Sequence, residues 1–170
     1  MSMVLDRVLL DDEEPAQGEF KAAYLQMLRH LERLHRLLLD VIRDEFERDG
    51  KWEINAVQAL LLYNIGDNEL TAGELRGRGL YLGSNVTYNL KKLVSGGYIE
   101  QNRSRRDRRS VYIRLTVLGK EVCQSIDELY DRQLRAVENV GGLAFDDMSS
   151  MNKMMRRLER FWHDQIRFKL

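Results

Sequence analysis

Apolar residues recur at spacings of three and four over residues 19–48. Phe20, Tyr24, Met27, Leu31, Leu34, Leu38 and Val41 form one stripe, and Leu28, His35, Leu39, Ile42 and Phe46 form a second beside it. This periodicity predicts one long helix, and two adjacent stripes predict contacts on more than one side. At about 1.5 Å per residue it would run roughly 45 Å, so it outreaches a small domain and should meet another helix or another chain. Asp49-Gly50 predicts its end. A second helix is expected over residues 53–66, with Ile54, Val57, Leu60, Leu61 and Ile65 inward and Asn55 as a cap near its start. Asp67-Asn68 reads as a turn and residues 69–71 as a short strand.

The period then shortens. Thr71 followed by Glu74 is a capping-box pattern that opens a brief helix with Leu75 inward, limited by Gly77 and Gly79. Over residues 84–95, Val86, Leu90, Leu93 and Val94 share one face, while Ser84, Asn85, Tyr88, Lys91 and Lys92 occupy the other, with Thr87 on the flank. Gly96-Gly97 ends that helix. Tyr98, Ile99 and Glu100 start a strand, and residues 110–116 alternate as a second, with Val111, Ile113 and Leu115 against Tyr112 and Arg114. After Gly119 a helical pattern returns through Val122, Ile126, Leu129, Leu134 and Val137 to about Asn139. Gly141-Gly142 breaks it, Asp146 or Asp147 is expected to cap the next helix, and Met148, Met151, Met155, Leu158, Trp162 and Ile166 mark its apolar face. Such a face is a core or a dimer seam before it is a ligand box. Residues 1–18 read as an arm that packs on a partner subunit or frays.

Charge changes the picture. The 170 residues carry 27 Lys/Arg and 27 Asp/Glu, yet residues 70–120 hold eleven Lys/Arg against three Asp/Glu, a net +8 balanced by −8 elsewhere. A compact basic module in an acidic frame points to a polyanion-binding surface. Five arginines, Arg103, Arg105, Arg106, Arg108 and Arg109, lie between the two strands and exclude a buried turn. That segment is either a loose loop or a finger along phosphates or in a minor groove, with Asp107 as an internal brace. The polar face of the 84–95 helix is either a solvated surface or a face shaped for the major groove, which admits a helix.

Helix, turn, helix and hairpin make a winged helix-turn-helix. The expected fold is mainly α with a small β-hairpin wing (α+β), with N- and C-terminal helices forming a dimerisation domain. The expected division is 1–52 for an arm and dimerisation helix, 53–119 for the winged module, and 120–170 for C-terminal dimerisation helices. Leu75, the 84–93 helix, Gly97-Tyr98-Ile99, Asp107-Arg108-Arg109 and Leu115-Thr116-Val117-Leu118-Gly119 resemble the MarR-type bacterial transcription regulators, and within them the LdtR-type subgroup. Leu82-Gly83 departs from the Ser-Pro-type cap often found before the family's reading helix. The resemblance implies a homodimer on double-stranded DNA carrying a pseudo-palindrome. Ser84, Asn85, Thr87 and Tyr88 would approach base edges, and Lys91 and Lys92 would hold phosphates. Arg105, Arg106, Arg108 and Arg109 would place the wing, braced by Asp107. It also implies a small aromatic effector between the dimer helices and the wing module, for which His35, Leu39, Leu60 and Tyr63 are the candidate lining.

Little else suggests chemistry. No nucleotide-binding glycine motif or nucleophile elbow occurs, so an enzyme is not expected, and no cofactor is implied. His30 and His35 are five apart and do not share a face for a metal, and His163 stands alone. The single cysteine, Cys123, excludes an intrachain disulfide; it is a small buried hydrophobe or, as the alternative, the centre of a redox-sensing regulator, without a resolving partner in the chain. A winged-helix protein-interaction module is the other rival. No run of eighteen apolar residues and no secretion-signal layout occur, and both favour a cytoplasmic protein.

Overall fold

A computed structural model describes residues 17–71, 74, 75, 84–103, 111–139 and 141–169, without the side chains of 84–86 and 103. In chain order the elements are α1 (Gln17–Asp49), α2 (Ala56–Ile65), β1 (Leu70–Thr71), α3 (Ser84–Ser95), β2 (Ile99–Arg103), β3 (Val111–Leu115), α4 (Val117–Asn139) and α5 (Phe145–Phe168). The fold is mainly helical with one three-stranded antiparallel sheet, as the sequence pattern predicts. The strand order is β1-β3-β2, so the short strand expected at residues 69–71 pairs with β3, Leu70 opposite Ile113.

The core lies under this sheet. Ile42 and Phe46 of α1, Leu61, Leu62 and Ile65 of α2, Leu75 ahead of α3, Leu90 and Leu93 of α3, Ile99, Ile113, and Val122 and Ile126 of α4 bury together. Of the predicted inward residues of α3, Leu90 and Leu93 are buried and Val94 is exposed, while the Val86 side chain lies outside the described residues. Gly50 (φ 63°) ends α1 and donates to the Phe46 carbonyl at 2.9 Å. The Thr71–Glu74 box also forms: Glu74 N–H donates to Thr71 Oγ1 at 3.1 Å, and Thr71 N–H donates to the Glu74 carboxylate at 2.7 Å.

Three boundaries differ from expectation, each for a local reason. α2 begins at Ala56, because Asn55 takes the N-cap position and forms a capping box with Gln58. It is also buried on several sides: Ala56, Gln58, Ala59 and Leu62 are buried, while Ile54, Val57 and Leu60 are half-buried, because α1 and α4 both pack on it. The strand expected from Tyr98 begins at Ile99, since Tyr98 N–H still closes the end of α3 on the Leu93 carbonyl at 2.9 Å. α4 begins at Val117 rather than after Gly119. Thr116 Oγ1 accepts from Gly119 N–H at 3.2 Å and donates to the Gly97 carbonyl at 2.7 Å, capping the helix and joining it to the end of α3. Gly119 is buried where a Cβ would lie 2.2 Å from the Tyr98 carbonyl oxygen, so the helix can approach the hairpin only without a side chain there.

The chain ends behave differently. α5 has no buried residue, although Met151, Met154, Met155, Phe161 and Ile166 line it. Met148, Leu158 and Trp162 are half-buried, and Trp162 Nε1 donates to Tyr24 Oη at 3.3 Å. In α1 only Ile42 and Phe46 are buried; Phe20, Met27, Leu31 and Leu34 of the first predicted stripe are exposed. Leu134, expected inward on α4, is exposed as well. Asp147 does serve the start of α5, accepting from Ala144 N–H at 2.9 Å, though Ala144 itself holds the N-cap position. Among the described residues no helix is long and apolar enough to cross a membrane.

Candidate nucleic-acid interface

α3 is an amphipathic helix with opposed duties. Leu90 and Leu93 fix one face in the core, so Thr87, Tyr88, Lys91 and Lys92 project outward on the other. Tyr88 is 59% exposed, and Lys92 Nζ stands 5.8 Å from its ring centroid, a cation–π distance. Ser95 Oγ donates to the Lys91 carbonyl at 2.9 Å near the helix end. The outer face therefore offers an aromatic surface, a hydroxyl and two ammonium groups on one short helix. Ser84 and Asn85 occupy the first turn of α3; their side chains lie outside the described residues.

The hairpin beside α3 is regular up to its open end. Ile99 pairs with Leu115 and the ladder runs to Arg103 opposite Val111. Glu100 and Arg114, directly opposed, form an ion pair at 2.5 Å across the strands. Arg105, Arg106, Asp107, Arg108 and Arg109 lie outside the described residues, as do Gly77, Gly79, Leu82, Gly83 and residues 1–16. The chain entering and leaving the arginine segment is nonetheless held side by side by the Arg103–Val111 pair.

A buried glutamine on α2 anchors this helix. Gln58 is the buried polar side chain among the described residues, and its Nε2 donates to Asn89 Oδ1 at 3.2 Å. Asn89 follows Tyr88 directly and is half-buried. The Asn55-x-x-Gln58 spacing carried a helix-start signal, but the reach of Gln58 to α3 has no sequence signature.

The four effector candidates differ in burial. His35 is exposed on α1, and Leu39 and Leu60 are half-buried against the core. Tyr63 lines a cavity of about 480 Å³ with Gly66, Asp67, Leu115, Lys120, Cys123, Gln124 and Asp127. Its hydroxyl donates to Asp127 at 2.7 Å, and its ring meets Tyr130 edge-on at 5.3 Å. The hydrogen bond to the Asp127 carboxylate, with desolvation adding to it, pushes the phenol up to about 12. Across the cavity mouth Lys120 pairs with Asp67 at 2.8 Å, which lowers the Asp67 carboxyl. Burial, reinforced by the Asp127 and Asp67 charges, pushes the Cys123 thiol up to about 11. A thiol so held stays protonated near neutrality, the opposite of a reactive thiolate.

Comparison with known proteins agrees with this geometry. Residues 52–110 match the model of the MarR family. The exopolysaccharide II synthesis transcriptional activator ExpG of Rhizobium meliloti (strain 1021) is 34% identical over 145 residues, 85% of this chain and 74% of that protein. A mutant MarR from E. coli complexed with operator DNA superposes with a TM-score of 0.63 at 20% identity, over 80% of this chain and 95% of that one. Streptococcus pneumoniae FabT in complex with DNA gives 0.62 at 22% identity, over 83% and 98%. A winged module with a cationic, outward helix face, found in a chain with these relatives, belongs to the MarR family of DNA-binding transcription regulators, which are not enzymes.

Proposed function

We propose that the protein acts as a homodimer that recognises a pseudo-palindromic DNA duplex and is released from it by a small aromatic ligand. The observation that carries this reading is the outward face of α3, where Thr87, Tyr88, Lys91 and Lys92 stand exposed on a helix locked by Leu90 and Leu93. In this reading Ser84, Asn85, Thr87 and Tyr88 approach base edges, and Lys91 and Lys92 hold phosphates. Arg105, Arg106, Arg108 and Arg109 lie along the minor groove and its phosphates, with Asp107 bracing them. The MarR and FabT structures cited above contain DNA, which supports the same use here.

Dimerisation is supported by the apolar side chains left uncovered on α1 and α5. Residues 1–52 and 120–170 would join two copies and 53–119 would read DNA. Two copies related by a twofold axis would present their α3 helices to half-sites roughly 34–36 Å apart. The effector would act by population shift, favouring a spacing that no longer fits two successive major grooves. Among His35, Leu39, Leu60 and Tyr63, the cavity position of Tyr63 makes it the leading candidate for effector contact. The raised Cys123 thiol favours this ligand reading over a redox switch.

Selection of duplexes from a random library by the purified chain tests the proposal. A symmetric enriched sequence is expected, with affinity falling steeply as salt rises. Arg106→Ala and Arg109→Ala should weaken all duplexes and flatten that salt dependence, whereas Asn85→Ala should alter sequence preference. Failure to enrich any duplex would overturn the reading.

A further inference from the structure

Gln58 sits at the start of α2 with its amide engaged on both sides. Its Oε1 accepts from Asn55 N–H at 3.1 Å, its own N–H donates to Asn55 Oδ1 at 2.9 Å, and its Nε2 donates to Asn89 Oδ1 at 3.2 Å. The side chain is 7% exposed, so it cannot touch a duplex lying on α3. Among the described residues, the Gln58–Asn89 contact is the side-chain hydrogen bond joining α2 to α3. At 100° per residue, Asn89 falls on the flank of α3, between the outward Tyr88–Lys92 face and the buried Leu93. Leu90 and Leu93 hold the helix down by apolar burial, which is non-directional, so a hydrogen bond adds an orientational restraint that burial alone does not carry. A hydrogen bond at the flank resists rolling, because rotation about the helix axis displaces Asn89 relative to Gln58 and spoils the bond's length or angle. With side chains about 5–6 Å from the axis, a roll of about 10° shifts their tips by about 1 Å. That exceeds the spread of good hydrogen-bond lengths, so base readout would suffer while phosphate contacts, made by long flexible lysines, would adapt.

We propose that Gln58 and Asn89 are positioning residues that set the roll of the reading helix, and so govern discrimination between DNA sequences without contacting bases. This rests on the DNA-reading proposal above. Because α2 packs on both α1 and α4, the same bond would pass any shift of those helices to the reading face.

The test uses the full chain and the duplex that the wild type selects from a random library, with a panel of its single-base-pair variants. Asn89→Ala and Gln58→Met should each reduce discrimination by about 3- to 10-fold, spread over several base pairs, with the salt dependence unchanged. The double variant should lose no more than either single one, since both remove one link. Asn89→Asp keeps an acceptor for Gln58 Nε2; it should retain discrimination while binding every duplex more weakly, through its added negative charge. Asn89→Ala keeps a good helix former on a half-buried flank, so it decides the matter even where Gln58→Met fails to fold. Unchanged discrimination in Asn89→Ala, a loss confined to one base pair, or additive losses in the double variant would each overturn the positioning role. A wild-type chain that selects no duplex would overturn the DNA-reading proposal itself, which separates the two failures.

Discussion

The winged module and the chain's two ends use the same amphipathic pattern and reach different outcomes. In the module the pattern closes on itself and on the first half of α4: Leu61, Leu62, Leu75, Leu93, Ile99, Ile113, Val122 and Ile126 are all buried within one chain. In α5 the pattern runs at the same threes and fours, yet Phe161 is 52% and Ile166 75% exposed. Periodicity therefore tells which side of a helix wants cover, and the connections decide whether the chain can supply it. α2, α3 and α4 all bury side chains in a common centre. α1 is 33 residues long, about 50 Å, and extends well past that centre, leaving its first half and α5 without enough partner surface.

The contrast can be broken most severely from within the module. Leu62→Ala leaves a cavity at a fully buried site and should cost about 2–5 kcal/mol of stability, read by denaturant unfolding. Charge placed on the uncovered helix should act elsewhere: Met154→Glu with Phe161→Glu should yield a folded monomer by light scattering, with the helical circular dichroism of the module retained. Global unfolding of that variant would mean that α5 belongs to the core of its own subunit.

A smaller effect is expected where the two regions meet. Tyr63→Phe removes the bond to Asp127 on an exposed edge of the cavity and should cost no more than about 1 kcal/mol. Alkaline stability sharpens the same point. The folded state holds the Cys123 proton to about 11 against an ordinary 9.0, and the Tyr63 proton to about 12 against 10.0. Unfolding releases these protons earlier, so their contribution is complete below about pH 9 and is lost as pH rises towards 12. Cys123→Ala should flatten the pH 9–11 part of that decline and Tyr63→Phe the pH 10–12 part, in unfolding midpoints measured against pH. Smallest of all, Cys123 should react with a thiol-specific reagent at neutral pH more slowly than free cysteine does; a rate above that of free cysteine would revive a redox role.

Most of the fold could be read from residue order. Threes and fours gave the five helices that the sequence reading shares with the structure, alternation gave β3, and Gly96-Gly97 and Gly141-Gly142 gave two of the breaks. The basic segment and the outward residues of α3 were legible too, because charge and polarity on one helix face need no tertiary information. The burial of α2 on several sides was not, since Ala59 and Gln58 look neither strongly apolar nor patterned until α1 and α4 close over them. The start of α4 at Val117 was not legible either, because the role of Gly119, letting the helix touch the Tyr98 carbonyl, depends on a contact between distant residues.

Residue order alone therefore determined the kinds of element, their sequence, and the gathering of positive charge onto one helix and its neighbouring hairpin. These depend on short-range spacing and on composition, which any chain carries openly. Tertiary structure alone decided that Gln58 reaches Asn89 across 31 positions, that Tyr63 meets Asp127 across 64, and that α5 remains uncovered. Those outcomes depend on which surfaces the folded backbone brings within hydrogen-bond distance, and no local spacing records that.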